Sequence, residues 1–285
     1  MDRDPVDTLV INLDHRTDRW NHIINKWKHS GHLHSVERFS AYKSTQRHRG
    51  CSLSHIYAVC NYFRNNEDKH EVLVLEDDCS PLYPSTVWRE KYNYLLLQLR
   101  TVQQLCKWKV MILSPILPPG LVVLKTSGVD GLCTMARKNL SAAAVLYHRR
   151  VIPHLLQLKL YYEQDRYRYK YGIDMALSNL SSQETYIAMP PLAEQNQEYS
   201  SDNPGAFSSL LTMTVQKRTH IISSEILHQI QGKSAKQRVV LFNGIYFSLD
   251  AHQLTLLAIV VAAVIVVILD LASKPKFKKT RAAIS

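Results

Sequence analysis

The sequence predicts an α/β fold, a mixed sheet flanked by helices, followed by a C-terminal transmembrane helix. Three observations carry this. Residues 8–27 read as strand, polar turn and helix, the opening of an α/β unit. Val72-Leu73-Val74-Leu75 is an uninterrupted apolar run, two of its members β-branched, as in a strand buried on both faces beneath helices. Residues 254–269 are apolar except for Thr255, and Leu271 and Ala272 extend the stretch past Asp270 to a length that suffices to cross hydrocarbon.

In chain order, Thr8 to Leu13 form the first expected strand, the charged cluster 14–19 its turn, and a helical segment runs through Trp27. Residues 36–41 are a second strand, and the apolar positions from Gly50 to Val59 repeat at helical spacing. The strand ending at Leu75 follows, and Pro81 and Pro84 turn the chain out of it into a helix over 89–107. Val110-Met111-Ile112-Leu113 reads as another buried strand, with shorter strands at 121–125 and 131–136. Residues 138–160 read as helix up to a break at Pro153, and Pro190-Pro191 with the polar stretch 194–204 as a long loop. The expected organisation is a catalytic-size domain over 1–205, a connector over 206–253, an anchor over 254–272 and a basic tail over 273–285.

The net charge is +11, and Lys274, Lys276, Lys278, Lys279 and Arg281 against Asp270 put about +4 of it in the tail, leaving about +7 elsewhere. An excess of that size suits an anionic partner such as a phosphorylated small molecule or a lipid surface. Zinc-finger spacing, a recognition-helix motif and an RNA-binding signature are all missing, so nucleic acid is not an expected partner. The five cysteines form no CxxC pair and sit within or beside apolar stretches, as small buried hydrophobes do in a reducing compartment. The sequons at Asn139 and Asn179 point weakly the other way. The N-terminus shows no basic region followed by an apolar one, so the catalytic domain is expected in the cytosol, held by a single-pass anchor. Two arrangements of the tail stay open: translocation of the C-terminus, or an interfacial or hairpin arrangement that includes the apolar stretch 239–247 and keeps both ends cytosolic.

Chemistry gathers where the run 72–75 ends in Glu76-Asp77-Asp78. Ligands of open α/β sheets collect beyond the carboxyl ends of strands. Three adjacent carboxylates repel one another unless a cation or a donor network compensates, and Mg²⁺ or Mn²⁺ with phosphate suits hard oxygen ligands. A solvated acidic turn is the plainer alternative.

In this order, the motifs resemble glycosyltransferase family 25, the group of lipooligosaccharide and collagen galactosyltransferases. The resemblance spans roughly 7–205 and rests on Val10-Ile11-Asn12-Leu13-Asp14 with Arg16, Asp18, Arg19 and Trp20, on Glu37 to Ala41, on Gly50-Cys51-Ser52-Leu53-Ser54-His55 and on Leu73 to Asp78. Downstream, residues 131–143 resemble the family's glycine-rich strand and following helix, Gly172-Ile173-Asp174 its aspartate element, and Pro191-Leu192 with Gln195, Ser201 and Asp202 its terminal loop. The resemblance implies a GT-A fold, a UDP-hexose donor and Mn²⁺ (or Mg²⁺). It implies a metal held by Asp78 with Asp77 or Glu76 assisting, donor contacts from Asn12, Leu13, Arg16, Arg19, Ser54 and His55, and Asp174 as catalytic base, with inversion at the anomeric carbon. Asp174 could equally be an N-terminal helix charge, with Asp130 and Asp202 as rivals for the base. The chain departs from the family between Ala41 and Gly50, which is short and carries Arg47-His48-Arg49 where an acid is usual.

The expected function is therefore metal-dependent transfer of a hexose, galactose or glucose, to a hydroxyl on a glycan, a lipid-linked sugar or a protein. An inactive membrane-anchored module binding a sugar nucleotide or glycan is the alternative from another class. A glycoside hydrolase would need two acids flanking one sugar.

Overall fold

A computed structural model describes residues 5–46, 48–116, 122–135, 141–164, 172–181, 183–196, 238–242 and 245–249. By its contacts the chain divides into two compact units, Met1–Ser248 and Leu249–Ser285. The described residues belong almost wholly to the first. The expected anchor at 254–272, the tail, the connector over 206–237, and Ser201 and Asp202 lie outside the described residues. Among the described residues no helix is long and apolar enough to cross a membrane.

The first strand β1 (Asp7–Asn12) leads through α1 (Thr17–Ile23), which continues as a π-helical turn over Ile24–His29, to β2 (Glu37–Ser40). The helix α2 (Arg49–Asn65) returns the chain to β3 (Glu71–Glu76) on the other side of β1. Both neighbours are parallel to β1, with Leu9 opposite Glu37 and Val74. The direction of sheet growth thus reverses at β1, which opens a crevice beyond the C-terminal ends of β1 and β3.

Further elements are β4 (Cys79–Pro81), α3 (Ser85–Thr101), β5 (Val110–Ile112), β6 (Val122–Thr126), β7 (Leu132–Met135) and β8 (Ala144–His148). They are followed by α4 (Ile152–Glu163), α5 (Ile173–Leu177), β9 (Thr185–Ala188), β10 (Ala193–Gln195), β11 (Arg238–Phe242) and β12 (Ile245–Leu249). Among the described residues one mixed sheet runs β12-β11-β6-β7-β9-β5-β8-β3-β1-β2, and β4 pairs with β10 apart from it. The sheet is mixed because β8 runs antiparallel to both β3 and β5, whereas β5 and β9 are parallel.

Side chains alternate along each central strand. Leu9, Ile11, Val72, Val74, Val110, Ile112, Val145 and Tyr147 join the α2, α4 and α5 layer. Val10, Leu73, Leu75, Met111 and Leu146 join the opposite layer, where α3 supplies Trp88, Tyr92, Leu95 and Leu99. Both faces are therefore dry, which is why the run 72–75 has no polar member.

Two expectations are corrected. Residues 144–148 are a strand with every residue buried, not part of a helix over 138–160. Pro153 opens α4 rather than breaking it, because a proline in the first turn forfeits an N–H that would have no intrahelical partner anyway. Strands β11 and β12 fall in and around the apolar stretch 239–247, and β11 pairs antiparallel with β6, Val240 opposite Val123. All five cysteines are free thiols, but only Cys79 and Cys133 are buried, whereas Cys51 and Cys106 are exposed.

Candidate active site

A cavity of about 560 Å³ occupies the crevice. Its walls are the end of β1 (Ile11, Leu13), the loop carrying Tyr42, Lys43, Ser44 and Gln46, the first turns of α2 (Gly50, Cys51, Ser54), and Gly172 and Asp174 at the start of α5. Arg19, Glu76, Asp77, Asp78 and Gln195 face it as well. Of the ten residues to which the resemblance gives a role, seven line this one space: Leu13, Arg19, Ser54, Glu76, Asp77, Asp78 and Asp174. Asn12, Arg16 and His55 are not among its lining, and Asp130 is exposed in a turn beside Gly131.

The three acids have three different environments. Asp77 is buried, with Oδ1 accepting from Arg19 Nη1 at 2.8 Å and Oδ2 from Asn12 Nδ2 at 2.8 Å. Asn12 also donates to the carbonyl of Arg16 and accepts from Arg38 Nε at 2.9 Å, so its amide is an internal brace. Burial raises the Asp77 carboxyl, opposed by the Arg19 charge and hydrogen bond. Arg16 forms a two-pronged pair with Asp18 at the start of α1, which holds the Asp18 carboxyl down at about 2.

Glu76 Oε1 accepts from Cys51 Sγ at 3.0 Å and lies 3.3 Å from His55 Nε2. Its burial works upward on the carboxyl, but His55, Cys51 and Arg19 together outweigh it, and the net direction is down. His55 itself is fully buried on α2, with Nδ1 3.0 Å from the Tyr147 hydroxyl.

Asp78 is the least compensated. Oδ2 accepts from Gln195 Nε2 at 3.0 Å and lies 3.8 Å from Arg19 Nη1, while Oδ1 is buried without a hydrogen-bond partner. Burial first, and the Glu76 charge second, push its carboxyl up to about 7. The backbone around it is well held: the β4–β10 pair sets Gln195 opposite Cys79, and Trp27 Nε1 donates to the Cys79 carbonyl at 2.9 Å. The Asn196 N–H donates to the Asp78 carbonyl.

Across the cavity, Asp174 stands in the first turn of α5, whose N-cap Gly172 offers no side chain. Burial raises its carboxyl and the Glu76 charge adds to this, against a hydrogen bond from the Met175 N–H. The two sequence alternatives, a cavity acid and a helix-start charge, thus coincide in one residue.

Ser54 holds the cavity loop: its hydroxyl accepts from the Tyr42 N–H at 2.7 Å and donates to the Gly50 carbonyl at 2.7 Å. Gly50 is required at this junction, because a Cβ there would stand 2.7 Å from the Tyr42 carbonyl oxygen. Gly50→Ala is expected to cost about 1 kcal/mol net, overpacking of about 1–3 kcal/mol offset by roughly 1 kcal/mol of helix propensity. Urea unfolding measures it; an alanine variant more stable than the parent would show that the loop yields freely.

Sequence reasoning missed Tyr42, Lys43, Ser44, Gln46 and His48 as a wall, and it missed Cys51 and Gln195 as neighbours of the acids. For Cys51 a signal existed: it precedes His55 by four residues, which places both on one face of α2.

No protein-family model matches the chain, and no curated protein matches it in sequence, so the resemblance to family 25 stands on the motifs alone. Among solved structures, a glycosyltransferase involved in the glycosylation of the major capsid of PBCV-1 is similar at 7% identity and TM-score 0.45, over 79% of this chain and 100% of that one. A197 from STIV is similar at 9% identity and TM-score 0.34, over 70% and 98%. Mannose-1-phosphate geranyltransferase from Thermus thermophilus is similar at 10% identity and TM-score 0.34, over 63% and 58%. Likeness at this level assigns no activity.

Proposed function

We propose that the chain is a cation-dependent glycosyltransferase of GT-A type that moves a hexose from a UDP-sugar to a hydroxyl on a glycan, a lipid-linked sugar or a protein. One observation carries the reading: Asp78, which lines the cavity beyond β1 and β3 together with Glu76 and Asp174, has a buried oxygen without a hydrogen-bond partner. A buried carboxylate oxygen left this way is costly in the absence of a positive ligand. A hard divalent cation meets that need, so the residues fit Mn²⁺ or Mg²⁺.

Asp78 would hold the ion, with Glu76 and Asp77 assisting. The ion, when bound, neutralises pyrophosphate charge as UDP departs. The protein's own residues do the rest. Arg19 favours the ionised form of Asp77 against its burial and adds positive charge at the cavity wall. Leu13 and the Tyr42 to Gln46 loop, which Ser54 pins to α2, border the space for the nucleoside. Asn12 and Arg16 act from behind, bracing Asp77 and the start of α1. Asp174, with a carboxyl that burial raises above its ordinary value, accepts the acceptor's hydroxyl proton on a carboxylate oxygen, as a direct, inverting displacement requires. We further propose that residues 254–272 tether this domain to a membrane with the catalytic cavity in the cytosol.

The test uses the whole chain in detergent, because β11 pairs with β6 and belongs to the sheet. Offered a panel of UDP- and GDP-sugars, it is expected to hydrolyse one donor with Mn²⁺ and to lose that activity in EDTA. Donor binding without turnover on any acceptor would favour the inactive module of the same fold. Failure to bind any donor with either cation would overturn the reading.

A further inference from the structure

The Cys51 sulfur at the cavity wall and the buried His55 imidazole form, with Glu76, a second ligand set, which shares Glu76 with the oxygens around Asp78 but differs from them in chemistry. Cys51 and His55 are a helical turn apart on α2, and both reach the same oxygen of Glu76 at the end of β3. The three ligand atoms lie within 4.8 Å of one another.

We propose that Cys51, His55 and Glu76 form a site for a borderline-soft divalent cation of the Zn²⁺ class, independent of whether the chain transfers a sugar. A tetrahedral zinc ion with Zn–N and Zn–O bonds near 2.0–2.1 Å and Zn–S near 2.3 Å separates N from O by about 3.3 Å and S from O by about 3.5 Å. The observed separations are 3.3 Å for N to O and 3.0 Å for S to O, so the N–O pair already has tetrahedral spacing and the S–O pair would open by roughly half an ångström.

Two further features support the site. His55 is aimed from behind: Nδ1 contacts the Tyr147 hydroxyl, which leaves Nε2 facing Glu76 and Cys51, the orienting contact that metal-bound histidines ordinarily have. Access is open, since Cys51 and Glu76 both line the cavity, and a fourth position can be filled from that side by water. The thiol proton now shared with Glu76 sits where the ion would go; on binding it is released to solvent and the thiolate takes its place. Mg²⁺ has no comparable attraction to sulfur, so the two ligand sets should sort cations by softness.

Cobalt is the probe, because a thiolate bound to Co²⁺ gives a sulfur-to-metal charge-transfer absorption. Titration of the full chain in detergent is expected to bind one Co²⁺ with that absorption, bleached by Zn²⁺ but not by Mg²⁺. Cys51→Ser should remove the band and weaken cobalt binding about 10-fold or more. A second measurement needs no variant: Zn²⁺ should slow alkylation of Cys51 at least about 10-fold relative to Mg²⁺, leaving exposed Cys106 unaffected. Absence of the band, its persistence in Cys51→Ser, or equal alkylation of Cys51 with and without Zn²⁺ would each overturn the site.

Discussion

Replacing Arg19 with methionine is expected to destabilise the domain by about 3–5 kcal/mol, the usual cost of removing one partner from a buried ion pair. Arg19 and Asp77 are 8% and 7% exposed, so little water stands ready to replace the lost partner. Methionine fills much of the arginine stem's volume, which separates the loss of charge from the loss of packing. Asn12 stays on Oδ2 as a neutral donor, but Oδ1 is stripped. The deficit should depend on pH in a defined direction. Burial already raises the Asp77 carboxyl despite Arg19, so without the guanidinium it rises further and the folded variant takes up a proton that the unfolded chain lacks. A group raised in the folded state contributes stability at low pH and loses it as pH climbs, so the deficit is largest under alkaline conditions and shrinks on acidification. Adding Asp77→Leu to Arg19→Met should recover much of the loss, since the orphaned charge goes with its partner. Urea unfolding in EDTA across a pH series measures all of this. A cost below about 1 kcal/mol that does not vary with pH would show the pair to be solvated after all.

How much of this site can be read in the sequence follows from which contacts are local. The run 72–75 and its acidic end are legible because a strand buried on both faces must be apolar at every position, and the trio follows it without a gap. Strand β8 is not legible. Residues 144–148 are equally apolar, and a continuous run carries no periodicity to tell strand from helix; what makes them a strand is β3 on one side and β5 on the other, both remote in sequence. The β4–β10 pair has the same origin: three residues at each end of a long separation, visible only once Cys79 meets Gln195. The division of labour among the acids is hidden for that reason too. Adjacent carboxylates look equivalent in a sequence, yet Arg19, Cys51 with His55, and Gln195 come from three different elements to make them unlike. His55 is a donor contact only through the resemblance to family 25, and in the fold its side chain is fully buried.

Asp78→Asn is expected to move stability and activity in opposite directions, and that divergence is the sharpest test of what the residue is for. In the folded, cation-free chain the carboxyl is raised from 3.8 to about 7. Between those limits the native state holds a proton that the unfolded chain has released, so stability falls as pH rises through the window and reaches its lower plateau above it. Asparagine is neutral throughout and still offers Gln195 an oxygen. At pH 8 in EDTA the variant should therefore be more stable than the parent, by something on the order of 2 kcal/mol, and the gap should close toward pH 4. Saturating Mn²⁺ should reverse the order, because binding to the parent's carboxylate stabilises it by mass action while the variant has lost its principal ligand. Transfer or donor hydrolysis should fall at least about 100-fold in the variant, the scale on which removal of a stabiliser of developing charge acts. A carboxylate kept where it weakens the empty fold, and without which the reaction fails, is present for its ligand and not for packing. If Asp78→Asn instead lowered stability at pH 8 in EDTA, Asp78 would be a structural hydrogen-bonding residue and the cation reading would lose its foundation.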